Sequence, residues 1–160
     1  MARTRPANEQ IEFGIDDLDT VLERMTAIAA AGKGWVNVMP TVDDDVDVPA
    51  TPGPLAVFNN RGPAVPLGTW TPATTGRHPE PPSIGVQHAA GTKALVQLAE
   101  AGLPLPPGWV RLADHPRRGF VVRLPDDAPL DQTLDWLLAA MVGLVKVPIT
   151  GRWLAGIYEG

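Results

Sequence analysis

Apolar and polar positions alternate along the chain with periods that change several times, and each change predicts a different element. From Asp16, the residues Leu18, Val21, Leu22, Met25, Ile28 and Ala29 recur at helical spacing. This predicts an amphipathic helix with Asp16 or Asp17 as N-cap and Gly32 just past its end. Trp35, Val36, Val38 and Met39 then read as a short strand that Pro40 ends, because proline cannot donate to a ladder. Ten of the eighteen prolines fall from Pro40 to Pro82. In that stretch Leu55 to Phe58 reads as one strand and Leu67 to Thr71 as a second, with ordered loop elsewhere.

The pattern is more regular from Ser83 onward. Ser83 to Gln87 reads as a strand, and Gly91 to Ala101 as a helix with Leu95, Leu98 and Ala99 on one side. Trp109 to Ala113 and Phe120 to Leu124 read as the arms of a hairpin, joined by Asp114-His115-Pro116-Arg117-Arg118-Gly119. After Pro129, the residues Leu130, Leu134, Leu137, Leu138, Met141 and Val145 share one helical face. Arg152 to Glu159 closes the series as a strand, with Trp153, Ala155 and Ile157 on one side and Leu154 and Tyr158 on the other.

Residues 83–159 therefore run strand, helix, strand, strand, helix, strand. That is the βαββαβ order of a ferredoxin-like α+β fold, with the last strand at an edge of an antiparallel four-stranded sheet and two helices on one face. The N-terminal helix and strands extend that sheet or pad its other face, and one larger mixed sheet is the alternative. The implied organisation is one domain, with 1–15 a flexible N-terminus, 16–58 the first helix and strands, 59–82 a proline-rich loop and 83–159 the core. A short echo relates Ala30-Ala31-Gly32-Lys33-Gly34-Trp35-Val36 to Ala101-Gly102 and Gly108-Trp109-Val110 and would make the first helix and strand a repeat of the later pair, but the unequal spacing favours coincidence.

Composition narrows the chemistry. The 160 residues are 44% hydrophobic and 19% charged, enough for one sizeable core, and the 34 Gly plus Pro imply many loops around it. With no cysteine, disulfides, zinc-thiolate sites and thiol nucleophiles are excluded. Ser83 is the only serine and does not stand in a nucleophile elbow, which removes serine hydrolysis. The net charge of −5 is concentrated in residues 1–47, which carry −6, while the remainder carries +1. Only Arg117-Arg118 are adjacent bases, so a nucleic-acid footprint is not expected. The apolar run Trp136 to Val145 is half the length of a membrane span, and no apolar stretch follows Arg3 and Arg5, so a cytoplasmic location is expected.

Three histidines remain as groups that titrate near neutrality. His115 has Asp114 before it and Arg117 and Arg118 after it, a set that suits a small anion or acidic partner; Asp114 bonding turn amides is the plainer use of the same residues. His88 precedes a helix start with Thr92 and Lys93, a second anion-binding candidate, for which Thr92 as a simple N-cap is the plainer reading. His78 and Glu80 would line a cleft only if the proline-rich loop folded over one. Asp43, Asp45 and Asp47 match the opening of a calcium loop, but Val48 and Pro54 break it, so no metal or other cofactor is expected. Four of the five tryptophans fall in core elements, and Trp70 stands apart as a candidate partner anchor or lid.

These observations favour a non-enzymatic binding or interaction domain: a homodimer through the sheet or its last strand, with an anionic ligand or acidic partner at Arg117, Arg118 and His115. The alternative is a small enzyme acting on an anionic small molecule, with His115 or His88 as base and Asp114 as orienter. A third reading gives the acidic helix and Asp43 to Asp47 to a basic regulatory partner.

Overall fold

The computed structural model describes residues 7–43 and 64–160. Leu55 to Phe58, the acidic residues Asp44 to Asp47 and the start of the proline-rich loop lie outside them. Seven strands form one antiparallel sheet: β1 (Glu9–Gly14), β2 (Trp35–Pro40), β3 (Leu67–Thr71), β4 (Ser83–Gln87), β5 (Val110–His115), β6 (Gly119–Arg123) and β7 (Arg152–Tyr158). Their spatial order is β1-β7-β2-β3-β4-β6-β5. Three helices, α1 (Asp19–Ala31), α2 (Ala94–Glu100) and α3 (Leu130–Leu144), pack on one face, with α3 between the other two.

The chain is α+β, but its sheet is larger than a ferredoxin-like one. β4, α2, β5 and β6 follow the expected order, with β6 between the parallel strands β4 and β5. The departure is β7. The antiparallel pair β2 and β3 separates it from β4, and β7 instead fills the gap between β1 and β2, pairing antiparallel with each along its length. It is therefore an interior strand and not the expected edge. A proline-free segment with buried Trp153, Ala155 and Ile157 can bond on both sides, and here it lies between the two parallel members of β1-α1-β2. A dimer built on the edge of Arg152 to Glu159 has no edge to use.

β1 is a further correction, since residues 9–14 belong to the sheet and not to a flexible N-terminus. Ile11 and Phe13 face the helices, and the Phe13 ring lies 6.4 Å from that of Trp153. The turn leaving β1 consumes Asp16 and Asp17, with Asp17 N–H donating to Gly14 O, so α1 begins after Leu18 rather than at either aspartate. Gly32 ends it in the left-handed region, as its position implied. α2 is shorter than its pattern: it starts at Ala94, which is buried in place of Ala99. α3 follows Pro129 and buries Leu134, Leu137, Leu138 and Met141.

All buried strand side chains point toward the helices, and one continuous cluster runs from Phe13 to Trp109. Trp70 belongs to it, only 2% exposed on the helix side of β3, so it is neither lid nor anchor. Close approach at two glycines permits this packing. A Cβ on Gly68 would press on Met141 Sδ and Leu137, so its absence lets α3 settle across the middle of the sheet. Gly119 opens β6 at φ 85°, where a Cβ would collide with the Val86 carbonyl oxygen. Gly119→Ala combines that collision with left-handed strain, and urea denaturation should show a loss of about 3 kcal/mol or more.

Candidate functional site

The β5–β6 hairpin carries most of the residues singled out by the sequence. Asp114 and His115 remain in β5, paired with Phe120 and Gly119, so the turn shrinks to Pro116, Arg117 and Arg118. Neighbours in a strand point to opposite faces, which separates the two side chains. Asp114 turns to the helix face, where its carboxylate accepts from Ala94 N–H at 3.2 Å and Leu95 N–H at 3.0 Å. It is the cap of α2, supplied from another strand.

That arrangement answers a local defect. The position before α2 is Lys93, left-handed at φ 56° and without a side-chain cap, and Thr92 is exposed and does not cap the helix either. The first amides of the helix would otherwise be unpaired, and a carboxylate there also meets the positive end of the helix dipole. Two of the helix-start amides that an anion near Thr92 and Lys93 would use are thus taken by the protein's own Asp114.

His115 serves the turn. Its Nδ1 accepts from the backbone N–H groups of Arg117 at 3.1 Å and Arg118 at 3.2 Å, which rigidifies the tip and leaves both guanidinium groups exposed. Asp114 is not its orienter. His88, by contrast, is fully buried beyond β4, with its ring 6.1 Å from that of Phe120. Its Nδ1 accepts from Ala90 N–H at 3.1 Å, which places the neutral ring's proton on Nε2, and Nε2 has no hydrogen-bond partner. Burial pushes the imidazole below its ordinary pKa; the Asp114 charge opposes that shift and Lys146 reinforces it. His78 and Glu80 are both exposed in the loop.

Gly119 lies against Val86 and Gln87, so the hairpin and the end of β4 are close in space. They do not assemble the catalytic set: His88 is sealed in, Asp114 is spent on α2 and His115 on its own turn. Among the described residues, no three metal-ligating side chains cluster. Two concave regions among the described residues lie away from the hairpin. One of about 250 Å³ sits on the uncovered sheet face beside Met39, Leu154 and Tyr158, and another of about 360 Å³ adjoins Arg24 and Lys33.

Two features escaped the sequence reading. Trp35 stacks on Tyr158 at 4.7 Å and 9° on the uncovered face, and the alternation opposite the core residues of β2 and β7 was the available signal. The other is the basic flank of the hairpin, where Arg111 and Arg123 join Arg117 and Arg118 as exposed residues. The register sets Arg111 diagonally from Arg123, on opposite faces at the open end of the hairpin, with Arg117 and Arg118 in the turn at the other end. Compared with protein families, curated proteins and solved structures, the chain matches none. No described helix is long and apolar enough to cross a membrane.

Two outcomes test these assignments. Asp114→Ala should cost about 1–2 kcal/mol of stability, read by denaturation, with faster exchange of the Ala94 and Leu95 amides. Because His88 has a depressed pKa when folded, the unfolded chain takes up its proton first as the pH falls below about 6.5. Stability should then decline toward the lower, folded pKa by at most about 1.4 kcal/mol per pH unit, and His88→Gln should flatten that slope.

Proposed function

We propose that this protein is a binding module, not an enzyme, and that it takes an acidic partner at the β5–β6 hairpin. The observation that carries the reading is the concentration of four exposed arginines, Arg111, Arg117, Arg118 and Arg123, on one hairpin of a chain whose net charge is −5. The one carboxylate within the hairpin, Asp114, is engaged by α2 amides. Neither ion pair among the described residues involves these arginines; they are Arg24–Glu9 and Arg152–Glu12. Arg117 and Arg118, adjacent and exposed in the turn, repel each other, which an acidic partner relieves.

The hairpin arginines line neither of the two concave regions described above, which favours an extended partner over an enclosed small anion. His115 contributes by fixing the tip, so its role is positional. The test uses a fluorescently labelled polyglutamate peptide and measures anisotropy at two salt concentrations. Arg117→Ala with Arg118→Ala should weaken binding about tenfold, and raising salt from about 50 to about 300 mM should do the same to the unaltered protein. The thermal midpoint should stay unchanged, since both side chains are solvent-exposed. Equal affinity in the double variant overturns the reading.

A further inference from the structure

β5 closes one end of the sheet, with β6 on one side and, among the described residues, no strand on the other. Its first four residues, Val110 to Ala113, are all exposed, so solvent reaches both faces of this strand. Val110 is 40% exposed, Leu112 57% and the neighbouring Val121 37%, an apolar strip bordered by the arginines. Alternate backbone N–H and C=O groups along the outer side of such a strand point away from the sheet and remain available to another chain.

The opposite end of the sheet is differently finished. β1 carries Glu9 and Glu12, and each is already held, by Arg24 at 2.8 Å and Arg152 at 3.3 Å. Its Phe13 is buried. A second copy of the chain is thus a poor occupant of β5. Pairing β5 with itself sets basic hairpin against basic hairpin, and pairing it with β1 requires glutamates that are already engaged. The irregularity between Arg111 and Ala113 interrupts this edge for any added strand alike, so charge and not edge regularity distinguishes the occupants.

We infer that the partner is an extended peptide segment in which acidic residues alternate with β-branched apolar ones, and that it adds to the outer side of β5 as an eighth strand. This rests on the acidic-partner reading and specifies how the contact is made. Backbone hydrogen bonds along β5 supply affinity, Val110 on the uncovered face receives one set of side chains, and Arg111, on the helix side of the same strand, selects acid in the other. The strand frame also explains why the charges lie along a hairpin and not around a cavity.

The experiment compares two synthetic peptides against the whole protein: one of alternating glutamate and valine, and the same sequence with alternate backbone amides N-methylated, prepared in both frames. Affinity is read by anisotropy and the site by amide hydrogen exchange. The unmodified peptide should bind, slow exchange at β5 amides, and lose about tenfold in affinity when one frame is methylated. If all peptides bind equally, depend on Arg117 and Arg118, and leave β5 exchange unchanged, strand addition is wrong while the acidic-partner reading stands. If no peptide binds, or the arginine variants are indifferent, both are wrong.

Discussion

The structure depends on the seating of β7 between β1 and β2. Without it the two parallel strands of the first unit have no common neighbour, α1 covers a gap, and Phe13 loses the Trp153 ring. With it, segments nearly 150 residues apart in sequence become adjacent, as in the pairing of Glu9 with Ile157 and of Gln10 with Gly156. Loop closure on that scale is entropically costly, so the strand must recover the cost through two full ladders and three buried side chains. The same arrangement fixes which strand is left at the other end of the sheet, and the basic hairpin is the result.

Polar groups inside this frame are used structurally at two places that look chemical in isolation. Asp114 and His115 are adjacent in sequence and face opposite ways, one closing a helix start and the other a turn. His88 is the less settled of the buried groups, since one ring nitrogen is satisfied by Ala90 and the other by nothing. An unpaired buried donor is costly, and here the cost falls beside the contact between α2 and the sheet.

Local periodicity carried much of the architecture. α3, the β5–β6 hairpin and the Gly32 stop of α1 each announce themselves within a window of a few turns, because burial on one face imposes spacing and left-handed backbone favours glycine. β1 did not, since Glu-Gln-Ile-Glu-Phe-Gly has only two apolar residues and is a strand by virtue of pairing with β7. The placement of β7 was hidden for the same reason: alternation reports which face is buried and says nothing of how many neighbours a strand has. At the site, the arginine pair was visible as adjacent bases, whereas its extension to Arg111 and Arg123 required the hairpin register. Asp114 as a cap for α2 was invisible, because cap and helix lie twenty residues apart with Lys93 in the local position. The echo of Gly32 to Val36 in Gly102 to Val110 does fall at matching places, each where a crossover helix returns to the sheet.

The interior position of the last strand also has a meaning in time. A ribosome delivers β1, α1, β2 and β3 first, and their sheet retains an open slot until the residues of β7 emerge. The second unit, β4 through β6, lacks no strand and has its order complete at once. Synthesis thus proceeds in the reverse of the order in which the two units can close, and the unit made first of the two is the last to be finished.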